Sequence, residues 1–285
     1  MKLGIALGGG GVRGLAHVPI LQVLDDLHIR PAVISGASMG AIVGALYASG
    51  MSARDIREII ERRLILKNDT WRDVMEKRED LLKWLYAFKP DFSGSGLINA
   101  EGILNSLLSE IKVDSFEDLE IPLLVVAADY WSAEEVVFEK GQLLPAIQAS
   151  MAVPGVFSPV SIGGRILVDG GVVNLVPYDL ITSRADFIIA VNVSRVRFAS
   201  GSESPNALES VLGTFDIMQT TMLTDKLKRL KPDIYVWPQI RDVRMLDFGK
   251  IEEVFAQTIP AAEKLRKDLL ALSPKADSNS GPHLR

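Results

Sequence analysis

The sequence predicts an α/β fold with three layers, in which helices cover both faces of a mostly parallel central sheet. Two observations lead to this fold class. Short apolar segments alternate along the chain with longer segments whose apolar residues recur at helical spacing. The short segments are apolar throughout rather than at every second position, as expected of strands that are buried on both faces of a sheet.

The individual elements follow from the same patterns, with glycine and proline marking most of their ends. The predicted strands cover about 2–7, 32–35, 121–128, 135–141, 165–168, 186–193 and 234–237. The predicted helices cover about 12–27, 41–48, 53–66, 100–111, 143–151, 176–182, 207–230 and 249–271. No internal repeat or linker divides the chain, so we expect one domain over residues 1–272.

Two segments differ from this alternation. Residues 68–98 combine many aromatic and charged residues, which suggests an inserted lid, although an ordinary covering helix would have the same composition. Residues 273–285 are rich in Pro, Ser, Gly and Asn, which predicts a disordered tail.

The composition excludes several classes of protein. The chain has 285 residues, of which 48% are hydrophobic, and its net charge of −5 argues against a nucleic-acid partner. It has no cysteine, so disulfides and thiolate sites are excluded. No apolar run reaches the roughly 20 residues of a membrane-spanning helix. Glycines at 8–11 interrupt the apolar N-terminal run, so we expect no signal peptide and a cytoplasmic location.

The segment Gly36-Ala-Ser-Met-Gly40 lies between a predicted strand and a predicted helix. A serine in such a G-x-S-x-G turn is exposed at the end of the strand, and the two glycines allow strand and helix to approach closely. Ser38 is therefore a candidate nucleophile. A tight turn without any chemistry remains the alternative, because short motifs also arise by chance.

A second glycine-rich segment, Gly8–Gly14, follows the first strand and allows three interpretations. A phosphate-binding P-loop would need Lys and Ser or Thr after Gly14, where the chain has Leu and Ala. A dinucleotide-binding fingerprint matches at Gly9, Gly11 and Gly14, but the next strand lacks its acidic residue. An oxyanion hole serving Ser38 is the interpretation that we favour, because exposed backbone N–H groups stabilise the negative charge of an acyl-transfer intermediate.

A serine nucleophile needs a base, and none of the three histidines follows a predicted strand, where a hydrolase triad would place one. His17 and His28 lie on the first helix and His283 lies in the tail. Asp169 ends a predicted strand and precedes two glycines, so its carboxylate could accept the serine proton directly. A turn residue that bonds its own backbone is the alternative for Asp169.

Taken together, these motifs resemble the patatin-like phospholipase family. The resemblance rests on Gly9–Gly14, Gly36–Gly40, Asp169–Gly171 and the segment Ala149–Val160. The order and spacing of these four segments agree with those of the family over about residues 3–195. The later helices resemble the bacterial branch that is related to neuropathy-target-esterase catalytic domains. The combination is far more specific than any one motif.

The resemblance implies a role for each matching residue. Ser38 would be the nucleophile and Asp169 its only partner in a Ser–Asp dyad, with Gly36 and Gly40 as the glycines of the nucleophile elbow. The implied oxyanion hole is formed by Gly9, Gly10, Gly11 and Arg13.

The implied activity is hydrolysis of lipid acyl esters through an acyl-serine intermediate, without a metal or cofactor. The substrate would be a phospholipid, a lysophospholipid or a neutral lipid, reached through transient contact with a membrane surface. A nucleotide-binding regulatory or redox protein that uses Gly9–Gly14 is the alternative from another class. An inactive scaffold is a third hypothesis, which the presence of all the expected reactive residues disfavours.

Overall fold

The computed structural model describes residues 1–65, 107–195 and 207–272. The predicted lid at 68–98, the predicted tail at 273–285 and most of the predicted helix at 100–111 lie outside these residues.

Eight strands form one sheet in the described part of the chain. The strands are β1 (Leu3–Leu7), β2 (Val33–Ala37), β3 (Leu123–Asp129), β4 (Glu135–Phe138), β5 (Val160–Ile162), β6 (Arg165–Asp169), β7 (Phe187–Val191) and β8 (Ile234–Val236). The helices are α1 (His17–Asp26), α2 (Met39–Ala48), α3 (Ala53–Ile65), α4 (Leu143–Ser150), α5 (Ala207–Arg229) and α6 (Ile251–Leu272). Among the described residues, none of these helices is long and apolar enough to cross a membrane.

The sheet has a parallel part and an antiparallel part. Strands β3, β2, β1, β7 and β8 lie side by side and are parallel. Strands β4 and β6 each pair with β3 in the antiparallel sense, and β5 pairs with β6 in the same way. The predicted fold class is confirmed, but β5 was not predicted.

Two cores separate the three layers. In β1, Ile5 and Leu7 contribute to the larger core, while Ala6 between them contributes to the smaller one, as expected from the alternation of side chains along a strand. The larger core contains residues of α1, α2, α3, α4 and α6. The smaller core is covered by the segment 175–181 and by Leu223 of α5.

Strand β3 receives more partners than an ordinary strand. Residues 123–126 pair with β2, residues 125–128 with β4 and residues 127–129 with β6. Because a strand has only two edges and β4 overlaps with both of the others, β2 and β6 must share one edge of β3. These two strands therefore point at each other along that edge, with their C-terminal ends adjacent.

The helix predicted at 12–27 begins differently from the expectation. Residues Gly11–Ala16 form a 3₁₀ helix and the α-helix starts only at His17. The predicted helix at 176–182 is likewise reduced to a 3₁₀ helix at Tyr178–Ile181. In both segments most of the apolar residues are buried, as their spacing predicts.

Helix α2 connects the fold to the predicted elbow. All ten of its residues are buried, so it is a core helix that is covered on every side. Glycine is required where it begins, because a Cβ at Gly40 would lie 2.0 Å from the carbonyl oxygen of Leu7. This close approach of α2 to β1 fixes the position of the residue that precedes the helix.

We therefore expect Gly40→Ala to lower the free energy of unfolding by at least about 3 kcal/mol, since backbone atoms of β1 would have to move. Gly213→Ala in α5 is the matched control, because a Cβ there meets nothing within 4 Å. Alanine at this helical position should stabilise the protein by about 0.5–1 kcal/mol. Urea unfolding of both variants measures the difference, and equal stabilities would contradict this account of α2.

Candidate active site

The serine elbow and the glycine-rich loop lie next to each other because β1 and β2 are parallel neighbours. Leu7 pairs with Gly36, so the two strands end side by side. A Cβ at Gly9 would lie 3.3 Å from the Cβ of Ser38. The juxtaposition of these two motifs at one edge of the sheet agrees with the sequence prediction.

Ser38 has the backbone conformation expected of a nucleophile elbow. Its φ is 53° and its ψ is −123°, a combination that non-glycine residues rarely adopt. The turn is tight enough that a Cβ at Gly36 would lie 2.6 Å from the carbonyl oxygen of Gly40. The side chain of Ser38 is nearly buried, and the residue occupies the N-cap position of α2.

The N–H of Ser38 has a partner that the sequence did not reveal. It donates a hydrogen bond of 2.9 Å to the Oγ of Ser150, the last residue of α4. Ser150 is completely buried. The sequence predicts no role for it, and the only signal is its position in the segment 149–160, which resembles a family motif.

Asp169 reaches Ser38 through the arrangement of β2 and β6 on one edge of β3. Ala37 pairs with Val126, and Asp169 pairs with the next residue of β3, Ala127. Asp169 was predicted to emerge at the C-terminal end of a strand, which is correct. The direction of β6 was not predicted: it runs antiparallel to β3 and meets the end of β2 from the opposite side.

The two carboxylate oxygens of Asp169 have different surroundings. Oδ1 accepts a hydrogen bond of 2.7 Å from the N–H of Gly171. Oδ2 is buried and has no hydrogen-bond partner among the described residues. The turn role considered for Asp169 therefore occupies one oxygen only, and the second oxygen is left for another group.

Burial raises the pKa of Asp169 to about 6, from an ordinary value of 3.8. The Ser38 side chain and the Gly171 N–H oppose this rise in the pKa, since both favour the charged form. Of these two groups, Gly171 alone forms a hydrogen bond of standard geometry. Ser38 and Asp169 are thus neighbours whose side chains interact without a well-aligned hydrogen bond.

The backbone N–H groups of the glycine-rich loop divide into two sets. Those of Gly8 and Gly9 donate to Val191 and Leu175 at 3.0 Å each, and so hold the loop in place. Those of Gly10 and Gly11 donate to no atom of the described residues. Gly11 has a φ of 59°, and a Cβ there would lie 2.3 Å from the carbonyl oxygen of Met245, so only glycine fits.

Arg13 is a buried anchor in the structure. Its guanidinium donates to the carboxylate of Asp216 at 3.1 Å and to the carbonyl oxygens of Val193 at 3.3 Å and Val243 at 3.4 Å. Desolvation lowers the pKa of Arg13, and Asp216 opposes that shift. The side chain therefore joins the glycine-rich loop to the segment that follows β7, to α5 and to the loop that precedes α6.

His17 lies beneath the same loop. Its Nε2 is 2.7 Å from the carbonyl oxygen of Gly8, so Nε2 must carry the proton. Burial lowers the pKa of His17 to about 4 and the ring is neutral at pH 7. His17 is therefore a buried, neutral residue of α1, while His28 follows α1 with a φ of 54°. His283 lies outside the described residues.

No set of three His, Asp or Glu side chains in residues 1–65, 107–195 and 207–272 is arranged to hold a metal ion.

The raised pKa of Asp169 has a consequence for stability. Because its pKa in the folded state is above the unfolded value, the stabilisation by the neutral acid is complete below about pH 4 and is lost as pH rises through about 6. Asparagine stays neutral, so Asp169→Asn should match the native protein near pH 4 and exceed its stability by about 1–3 kcal/mol at pH 7.

Urea unfolding between pH 4 and pH 7 measures this difference. Asp225→Asn is the matched control, because Asp225 forms an exposed pair with Arg229 on α5. Its removal should change stability by no more than about 0.5 kcal/mol at any pH. A stability difference for Asp169→Asn that does not grow with pH would contradict the raised pKa.

Comparison with known proteins identifies relatives of the chain. An uncharacterized NTE family protein of Mycobacterium tuberculosis is 31% identical over 235 residues, which cover 79% of this chain and 61% of that protein. Patatin-like phospholipase domain-containing protein 7 of Rattus norvegicus is 29% identical over 279 residues, covering 88% of this chain and 20% of that protein. Lysophospholipase NTE1 of Candida albicans is 25% identical over 289 residues, covering 93% and 20%. The chain therefore spans about three fifths of the mycobacterial relative and a fifth of the other two.

Among solved structures, VipD from Legionella pneumophila has a TM-score of 0.50 and 15% identity, covering 92% of this chain and 66% of that one. This likeness concerns the fold alone. A family model described as patatin-like phospholipase matches residues 5–181, a range that includes the glycine-rich loop, Ser38 and Asp169. The resemblance found in the sequence is confirmed, and the chain belongs to the patatin-like phospholipase family.

Proposed function

We propose that this chain is a serine acyl hydrolase, which cleaves carboxylic esters of lipids through an acyl-Ser38 intermediate. Phospholipids, lysophospholipids and acylglycerols are the proposed substrate classes. The observation that carries the proposal is the meeting of β2 and β6 on β3, which brings the elbow serine to a buried carboxylate with one unpartnered oxygen.

In the proposed acylation, Ser38 Oγ attacks the ester carbonyl carbon and its proton passes to Oδ2 of Asp169. The tetrahedral intermediate then collapses, the C–O bond to the leaving alcohol breaks, and the alcohol takes the proton from Asp169. In deacylation a water molecule attacks the acyl-serine while Asp169 accepts its proton. Asp169 returns that proton to Ser38 Oγ as the fatty acid leaves, so the enzyme is restored.

The raised pKa suits Asp169 to this role. A carboxylate with a pKa of about 6 is a stronger base than an ordinary aspartate and is still mostly ionised at pH 7. The same burial that raises its pKa also excludes water that would compete for the proton.

Backbone N–H groups are the proposed stabilisers of the oxyanion. Those of Gly10 and Gly11 have no partner among the described residues, and that of Met39 is the first N–H of α2, which has no acceptor within the helix. Gly9 would contribute by its small size beside Ser38, since its own N–H is bonded to Leu175. Arg13 would contribute by anchoring the loop through Asp216.

Transient contact with a membrane surface is part of the proposal. Tyr130 and Trp131 directly follow Asp129, the last residue of β3, at the end of the sheet where the site lies. Trp131 is 79% exposed and packs edge-to-face against the half-exposed ring of Tyr130. Tryptophan and tyrosine favour the boundary between lipid and water, which supports contact with lipid at this edge.

The alternative of a nucleotide-binding protein has less support. Gly14, the last glycine of its fingerprint, packs against α2: a Cβ there would lie 2.5 Å from the side chain of Met39. The N–H of Val12 is bonded to Met245, so the start of the following helix is already covered. The covered N–H of Val12 opposes the open helix N-terminus that a pyrophosphate requires, whereas close packing at the third glycine is itself part of the fingerprint.

Two variants test the proposed function. Ser38→Ala and Asp169→Asn should each lower kcat/KM for a p-nitrophenyl ester by about 10³-fold or more, because the nucleophile or its base is lost. Fluorophosphonate labelling of the native protein should occur at Ser38, and a panel of lipid esters then identifies the head group.

Asp129→Asn is the matched control, since Asp129 is also buried and lies on β3 close to Asp169. It should retain activity within about threefold, because its carboxylate bonds the backbone of Trp131 and Ser132 instead of the site. Activity that persists in purified Ser38→Ala would refute the proposal.

A further inference from the structure

One short segment contacts both halves of the candidate dyad. At the end of α4, Ser150 Oγ accepts the N–H of Ser38 at 2.9 Å. Two residues later, the carbonyl oxygen of Ala152 accepts the N–H of Asp169 at 3.0 Å. The ends of β2 and β6 are therefore joined by their contacts with β3 and, independently, by the segment 150–152.

The N–H of Ser38 needs a partner from outside its own elements. Strand pairing ends one residue earlier, at Ala37 with Val126. The N-cap residue of a helix cannot donate its N–H within that helix. Because Ser38 is nearly buried, an unpaired N–H would carry a desolvation penalty, and Ser150 Oγ is the acceptor that removes it.

The hydrogen bond that Ser150 accepts also restrains the strained backbone conformation of Ser38. The peptide between Ala37 and Ser38 is attached to Ser38 by the bond whose rotation defines its φ of 53°. Relaxation of that angle would turn the N–H away from Ser150 and would swing the Ser38 side chain away from Asp169. The hydrogen bond thus opposes the movement that would separate nucleophile from base.

We propose that Ser150 is a positioning residue, which holds Ser38 Oγ against Asp169 by accepting the Ser38 N–H. The proposal rests on the proposed function, since it assumes that Ser38 is the nucleophile. It assigns a task to one residue of the segment 149–160.

A merely structural role would predict that Ser150→Ala behaves like the loss of any buried serine hydrogen bond. Ser35 provides the matched control: it lies on β2, is completely buried, and donates its hydroxyl to the carbonyl oxygen of Pro177 at 2.9 Å. Ser35→Ala therefore removes one hydrogen bond of a buried hydroxyl from β2, the strand that ends next to Ser38, without altering the partner of the Ser38 N–H.

The experiment compares the native protein with Ser150→Ala, Ser150→Thr and Ser35→Ala. Three properties are measured for each protein: the rate of fluorophosphonate labelling at Ser38, the values of kcat and KM, and the stability towards urea. We expect Ser150→Ala to lower the labelling rate and kcat by about 10- to 100-fold with little change in KM. Ser35→Ala should stay within about threefold of the native rate at a similar loss of stability. Ser150→Thr keeps the acceptor and should restore most of the rate.

Hydrogen exchange at the Ser38 amide is the second readout, because it follows the bond itself. Exchange should become faster in Ser150→Ala and remain protected in Ser35→Ala. If Ser150→Ala does not fold, Ser150→Cys replaces it, since sulfur nearly keeps the volume but is a weak acceptor.

Labelling of folded Ser150→Ala at the rate of Ser35→Ala would overturn the positioning role while the proposed function stands. A folded Ser150→Thr that labels as slowly as Ser150→Ala would also overturn it. Absence of labelling in the native protein would instead refute the proposed function. Unchanged exchange of the Ser38 amide in Ser150→Ala would refute the hydrogen bond between Ser38 and Ser150, whatever the labelling shows.

Discussion

The structure depends on one constraint: β2 and β6 occupy the same edge of β3 and meet there end to end. Ala37 and Asp169 pair with consecutive residues of β3, so backbone hydrogen bonding sets the distance between the elbow and the carboxylate. Strand pairing is stiff, and the fully buried α2 holds the elbow from the other side. The two members of the proposed dyad are therefore brought together by the pairing of β2 and β6 with β3.

Burial disfavours the charged form of both Asp169 and Arg13, but the two side chains differ in how far their charge is compensated. For Asp169 it raises the pKa to about 6 and leaves one oxygen unpartnered, which suits a base. Arg13 is equally buried, but Asp216 and two backbone carbonyls compensate its charge, which suits an anchor. Asp216 and Gln219 lie one turn apart on α5, and a Cβ at Gly171 would lie 2.4 Å from Gln219 Nε2. Helix α5 thus packs against both the glycine-rich loop and the turn that holds Asp169.

Local features of the site could be predicted from the sequence, and features that depend on distant contacts could not. The elbow at Gly36–Gly40 needs only a strand, a tight turn and a helix, all of which have signals within a few residues. Asp169 was identified at a strand end, yet no local pattern shows that β6 reverses direction. Arg13 finds its partner about two hundred residues away, and Ser150 accepts an N–H from a residue more than a hundred positions earlier. Such pairings follow from the topology of the sheet, which a single sequence does not encode in readable form.

The proposed function requires that a buried aspartate, without a histidine, activates Ser38. The most direct test is the dependence of kcat/KM on pH for a soluble ester between about pH 4.5 and pH 8. A base with a pKa of about 6 predicts a tenfold rise per pH unit below that value and a plateau above it. His17 cannot produce this limb, because burial lowers its pKa to about 4. A rate that does not change between pH 5 and pH 7 would contradict the account.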